Sequence, residues 1–149
     1  METFLEVTIS KEEVKKALNS IEAMKVVLNP YLAKLSTGER NRVHKLTADT
    51  IQFIKKTIDY TEAINTLTPN FIDVEELKSD YQTIRLLTEI LGPLKQLCSD
   101  LNDTILLSGQ EAYKSSLNYL YSKEEEAKDN PEADIIYREL SSCLDKIEE

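Results

Sequence analysis

The sequence predicts an all-α protein, an up-down four-helix bundle with an additional short helix and a C-terminal helix. Three observations predict it. Apolar residues recur at three- and four-residue steps through most of the chain, which places them on one side of successive helices. Only three Gly and four Pro occur in 149 residues, too few for a turn-rich β fold. Several segments open on a Ser or Asp with an acidic residue three positions on, the signature of a helix N-cap. The chain has the length of a single domain, 1–149, and its 41% hydrophobic content supplies material for a core without disulfide staples.

The elements follow in order. Residues 1–9 alternate weakly at Phe4, Val7 and Ile9 and read as an extended N-terminal arm. Ser10-Lys11-Glu12-Glu13 is a capping box and opens the first helix, whose apolar face is Val14, Ala17, Leu18, Ile21 and Leu28, then Leu32 and Leu35. Pro30 has no amide hydrogen, so the helix ends or kinks near Asn29, and Tyr31 to Leu35 is expected to continue beyond it. Ser36-Thr37-Gly38-Glu39 is a second box, and a short turn of helix from Thr37 to Val43 is expected there. A second long helix runs from about Ala48 to Leu67. It carries two adjacent stripes, one of Ile51, Ile54 and Ile58, the other of Phe53, Tyr60, Ile64 and Leu67. A stripe that wide belongs to a helix touching two neighbours. Thr68-Pro69-Asn70 ends it. Asp73, with Glu76 three residues on, caps a third helix whose face is Leu77, Tyr81, Ile84, Leu87, Ile90 and Leu91.

From Pro93 to Lys128 one stripe continues through Leu94, Leu97, Leu101, Thr104, Ile105, Ser108, Ala112, Ser115 and Tyr119. It begins large and turns small, which would let a neighbouring helix approach closely, so this segment is expected to be the central partner of the bundle. Two turns are compatible with it. Gly92-Pro93 suits a left-handed cap followed by a new first turn, or a kink in a continuing rod. Ser108-Gly109-Gln110-Glu111 is a third serine box, and a break there gives helices of matched length, the arrangement favoured for an up-down bundle. Glu124-Glu125-Glu126 and Asp129-Asn130 form an acidic, solvated end. Pro131 then opens a last helix with the stripe Ala133, Ile136, Tyr137, Leu140, Cys143, Leu144 and Ile147.

Charge restricts the function. The net charge is −9, but residues 1–60 hold ten Lys/Arg against eight Asp/Glu, while residues 61–149 hold eight against nineteen. An acidic body opposes general nucleic-acid binding, which needs a basic face. METFLEVTIS has no basic start or long apolar run and is not read as a signal peptide, and no window has the roughly 18 apolar residues of a membrane span. Cys98 and Cys143 are far apart in sequence and read as free thiols of a reducing compartment; a cytoplasmic location is the default.

Catalytic devices are hard to find. A di-iron bundle needs Glu-x-x-His on two helices, and His44, the single histidine, has no Glu three residues before it. The dispersed cysteines and histidine do not make a zinc site, and no phosphate loop or nucleophile elbow is present. The expectation is therefore a non-enzyme without cofactor or metal. Lys34, Arg40, Arg42 and Lys45 form the one basic cluster, suited to pairing with the acidic half of this or another copy. Asp100, Asp103 and Thr104 lie near Glu111 on adjacent turns. Tyr113, Tyr119, Tyr121 and Tyr137 would rim an interface or pocket, or else stand at the core edge with wet hydroxyls.

Three stretches, LNPYLAKLSTGERNRVHKL (28–46), TPNFIDVEELKSD (68–80) and LCSDLNDTILLSGQEAYKSSLNYL (97–120), resemble a family of small all-helical bacterial proteins of uncharacterised function. Pro30, Leu32, Leu35, Arg40 and Lys45 fit the first pattern, Pro69, Phe71 and Asp73 the second, and Asp103, Thr104, Gly109 and Tyr113 the third. The resemblance implies a helical bundle and a bacterial origin, and brings no activity. The candidate binding or interface residues are Arg40, Lys45, Asp103, Thr104, Gly109 and Tyr113. The expected function is that of an interaction or structural protein, either self-associating or bound to another protein. The alternative is a small-molecule-binding bundle with a cleft around Thr104 to Ser115.

Overall fold

A computed structural model describes residues 8–148, so the expected extended arm lies, apart from Thr8 and Ile9, outside the described residues. The chain is all-α. Five α-helices occur among the described residues, with no strand: α1 (Lys11–Leu28), α2 (Thr37–Arg42), α3 (Ala48–Ala63), α4 (Val74–Glu126) and α5 (Pro131–Glu148). Single 3-10 turns follow α1 and α3 at Asn29–Tyr31 and Asn65–Leu67. Two compact units form, one over Ile9–Gln96 and one that includes Leu97–Glu149.

In the first unit the Ser10 hydroxyl accepts the Glu13 amide hydrogen at 3.1 Å and starts α1. The reciprocal half of that box is not made, because the Glu13 carboxylate takes the Lys16 ammonium at 3.3 Å instead. Pro30 converts the end of α1 into the 3-10 turn. The helix does not resume over Tyr31 to Leu35: Leu32 turns extended and residues 32–36 are irregular. A proline ring fixes one turn of backbone, and nothing after it restores the interrupted hydrogen-bond ladder. Ser36 and Glu39 do form a complete box, with Glu39 N–H to Ser36 Oγ at 3.2 Å and Ser36 N–H to Glu39 Oε2 at 2.8 Å. The α3 start was not legible as a box; the Thr47 hydroxyl accepts the Thr50 amide hydrogen at 3.2 Å.

Helix α3 packs its isoleucine stripe against the first turns of α4. Ile58 is 7% exposed, and Ile51, Ile54, Leu77, Tyr81, Ile84 and Leu87 are half-buried. Lys78 on α4 reaches Glu62 on α3 at 2.8 Å and ties the two helices across the connection. The second stripe of α3 has no cover. Phe53, Tyr60, Ile64 and Leu67 are all exposed, so α3 touches one neighbour rather than two.

Helix α4 runs unbroken from Val74 to Glu126, with Pro93 inside it. Neither Gly92 nor Ser108 turns the chain. Gly92 has no Cβ to collide with the following ring, so it keeps helical geometry where a larger residue is pushed toward extended backbone. Ser108 is an interior helical residue: a box needs an extended N-cap, and strong helix formers on both sides leave no room for one.

In the second unit, residues 127–130 reverse the chain and α5 returns along α4. The Asn130 side-chain oxygen accepts the amide hydrogens of Glu132 at 3.0 Å and Ala133 at 3.4 Å, while Pro131 occupies the first helical position, where no amide hydrogen is missed. Ala133 is 3% exposed and Leu120 5% exposed. The small methyl side chain at 133 suits close approach of α5 near its start, and the burial of Leu120 contributes roughly 1.5–3 kcal/mol.

Candidate functional site

Between α4 and α5, away from their connecting turn, an apolar groove of about 520 Å³ opens in the second unit. Tyr113, Leu117 and Leu120 of α4 form one wall, and Leu140, Leu144 and Ile147 of α5 the other; Ser115, Ser116, Tyr119 and Cys143 complete the lining. Toward the connecting turn Lys123 lies 5.2 Å from the centre of the Tyr119 ring and 2.7 Å from Glu126. That carboxylate holds the Lys123 ammonium above its ordinary pKa, against the opposing effect of desolvation. The groove is an aliphatic surface with tyrosine edges.

The structure uses the predicted residues unevenly. Tyr113 lines the groove. Thr104 donates its hydroxyl hydrogen to the Asp100 carbonyl at 2.7 Å, a back-bond within its own helix. Gly109 is an ordinary helical residue, and a Cβ there would meet nothing within 4 Å. Asp103 is exposed on the same helix. Arg40 belongs to the first unit, where its guanidinium donates to the Leu35 carbonyl at 3.2 Å and closes the loop ahead of α2; Lys45 follows α2 in the connection to α3. Beside Arg40, the backbone N–H of Ser36, then its hydroxyl, hold the Glu39 carboxyl below its ordinary pKa. Of the residues around the expected Thr104–Ser115 cleft, Ser115 and the tyrosines Tyr113 and Tyr119 line the groove. Thr104, Ser108 and Ala112 are absent from it, and α5 contributes Leu140, Leu144 and Ile147, whose three- and four-residue spacing was the signal available in the sequence.

The expected central stripe also behaves differently from the expectation. Leu97, Leu101, Ile105 and Tyr119 are exposed, Ile105 at 67%. At about 100° per residue they lie on average roughly a third of a turn from the face through Tyr113, Leu117 and Leu120 that lines the groove with α5. Helix α1 is likewise uncovered: none of its residues is buried, and Val14, Leu18, Ile21 and Met24 are exposed along one side.

Among the described residues no group of three or more His, Cys, Asp or Glu is placed to hold a metal ion, and no helix is long and apolar enough to cross a membrane. No family model, curated protein or solved structure matches the chain.

Proposed function

We propose that this protein is a non-enzymatic helical interaction protein that self-associates, and that the up-down four-helix arrangement is completed between copies. The observation that carries the reading is the imbalance between apolar helix faces and their cover. Only Ile58, Leu120 and Ala133 are buried among the described residues, while α1, the outer stripe of α3 and the middle of α4 present leucine, isoleucine, valine and aromatic side chains to solvent. Contiguous apolar faces of that kind mark interaction surfaces. A helix of 18 residues is marginal in water by itself, so α1 needs a surface to lie on. The polarised charge of the chain supports contact between unlike regions of two copies.

Native mass spectrometry and size-exclusion chromatography with light scattering test the reading. The expected result is a multiple of the chain mass at micromolar concentration. A strict monomer throughout that range overturns it. The groove between α4 and α5 supports a second reading, a carrier of a small apolar ligand. A single-chain mass with an added small-molecule mass, displaced by unfolding, would favour that reading instead.

A further inference from the structure

We infer that residues 1–7, METFLEV, dock along one flank of α4, on the stripe Asp100, Thr104, Leu107 and Glu111. The stripe steps by four, three and four residues, so it keeps to one side of the helix. Part of it is covered. Leu107 and Glu111 are half-buried, although Ile105 and Leu106 beside them are 67% and 70% exposed. Helix α5 lines its groove with a different face of α4, the one through Tyr113, Leu117 and Leu120. At about 100° per residue, Leu107 and Glu111 stand about 120° and about 160° round the axis from Tyr113. Some other part of the molecule therefore lies over them.

The start of the chain fits that place. Thr8 belongs to the compact unit of Leu97–Glu149, whereas Ile9–Gln96 form the other, so the seven residues before Thr8 leave from the unit that carries the stripe. Their reach is sufficient. Seven extended residues span about 23 Å, and eleven helical steps from Asp100 to Glu111 cover about 17 Å. In an extended segment Met1, Thr3, Leu5 and Val7 fall on one side and Glu2 and Glu6 on the other. An apolar edge can then lie on Leu107 while both carboxylates stay in water. The polar positions of the stripe suit such a cover. Thr104 has already given its hydroxyl hydrogen to the Asp100 carbonyl. Asp100 and Glu111 are each engaged with a partner, and the backbone N–H groups of an extended segment are donors of the kind carboxylates accept. The contact is made within one chain and does not depend on self-association.

The test uses the full-length chain with its two free thiols removed, Cys98→Ser and Cys143→Ser. Leu5→Cys with Leu107→Cys should be bridged within one chain by a short two-headed maleimide at least about tenfold faster than Leu5→Cys with Ile105→Cys, because docking holds the first pair together. Position 5 is near the middle of the segment and 107 near the middle of the stripe, so the pair meets whichever way the segment runs. A second measurement needs no bridge. Leu5→Asp with Val7→Asp should let the thiol of Leu107→Cys react several times faster with a dye maleimide and leave Ile105→Cys unchanged, since thiol reaction follows access. Helix content by circular dichroism should be the same in every variant. Equal bridging at 107 and 105, bridges that join only separate chains, or a thiol at 107 indifferent to the charges at 5 and 7 overturns the inference. A monomer that bridges within one chain upholds it and overturns the self-association proposed above.

Discussion

Helices α1 and α5 are both 18 residues long, both amphipathic and both opened by a polar side-chain cap, yet only α5 is covered by its own chain. Ala133 at the start of α5 is buried and Leu140 and Leu144 are half-buried, whereas α1 buries nothing. The difference lies in the connections. Four residues, 127–130, separate α5 from α4 and fold it back with little loop entropy. After α1 come a 3-10 turn, an irregular stretch and the six-residue α2 before the next long helix begins at Ala48. Periodicity says that a helix has a face to cover. It does not say whether the cover comes from the same molecule.

The largest effect that sharpens this contrast comes from truncating leucines in the two settings. Leu120→Ala should cost about 2–5 kcal/mol in urea unfolding, because it removes a buried side chain between α4 and α5. Leu18→Ala should change the dissociated chain by less than about 0.5 kcal/mol, as expected away from buried features, and act on association instead. Equal losses in the dissociated chain would break the comparison. Next in size is the cap of α5. Asn130→Ala should cost about 1 kcal/mol of stability, and Asn130→Gly a few tenths. A smaller change of opposite sign is expected from Gly109→Ala, which should stabilise by about 0.5–1 kcal/mol because the added methyl meets open space in a helix interior. A loss there would show that another chain approaches Gly109 closely.

The smallest expected effect is electrostatic, across α3 and α4 at Lys78 and within α4 at Lys123. Lys78, bonded to Glu62 and then Glu75, and Lys123, bonded to Glu126, are both held above the ordinary lysine value of 10.5. A raised folded-state value means their contribution is complete below 10.5 and is lost as pH climbs through the folded value. Stability should therefore be flat through neutral pH on their account and decline on the alkaline side. Lys78→Gln should flatten that alkaline decline for the pair α3–α4 alone, measured by thermal melts between pH 9 and pH 12. An unchanged slope would remove Glu62 as a cause.

Much of the fold was legible because caps and stripes act locally. The Ser36 box, the Asp73 cap and Pro131 all stand where the residues placed them, with Glu76 N–H reaching Asp73 Oδ1 at 2.9 Å. The same S-x-x-E string failed at Ser108 because a box competes with the helix around it, and Thr104 to Leu107 and Glu111 to Leu117 propagate helix from both sides. At Gly92-Pro93 the continuing rod was one of the two readings, and it holds because the missing Cβ of Gly92 accommodates the ring. The candidate site was less legible. Tyr113 and the α5 stripe were visible as apolar periodicity, but which of the adjacent α4 faces meets α5 depends on where the Asn130 turn aims the returning helix. A one-residue change in that turn rotates the facing set by about 100°.

Pro93 has a consequence for timing. Its ring gives no hydrogen to the Glu89 carbonyl, so the ladder of α4 lacks a rung although the rod is continuous in outline. In heavy water the amides just after Pro93, as far as Ile105, lie where no side chain is buried, and they should trade their protons in seconds to minutes while those around Leu120 hold theirs far longer. A single helix would then report two clocks, and the faster one would slow only when its uncovered stripe found company.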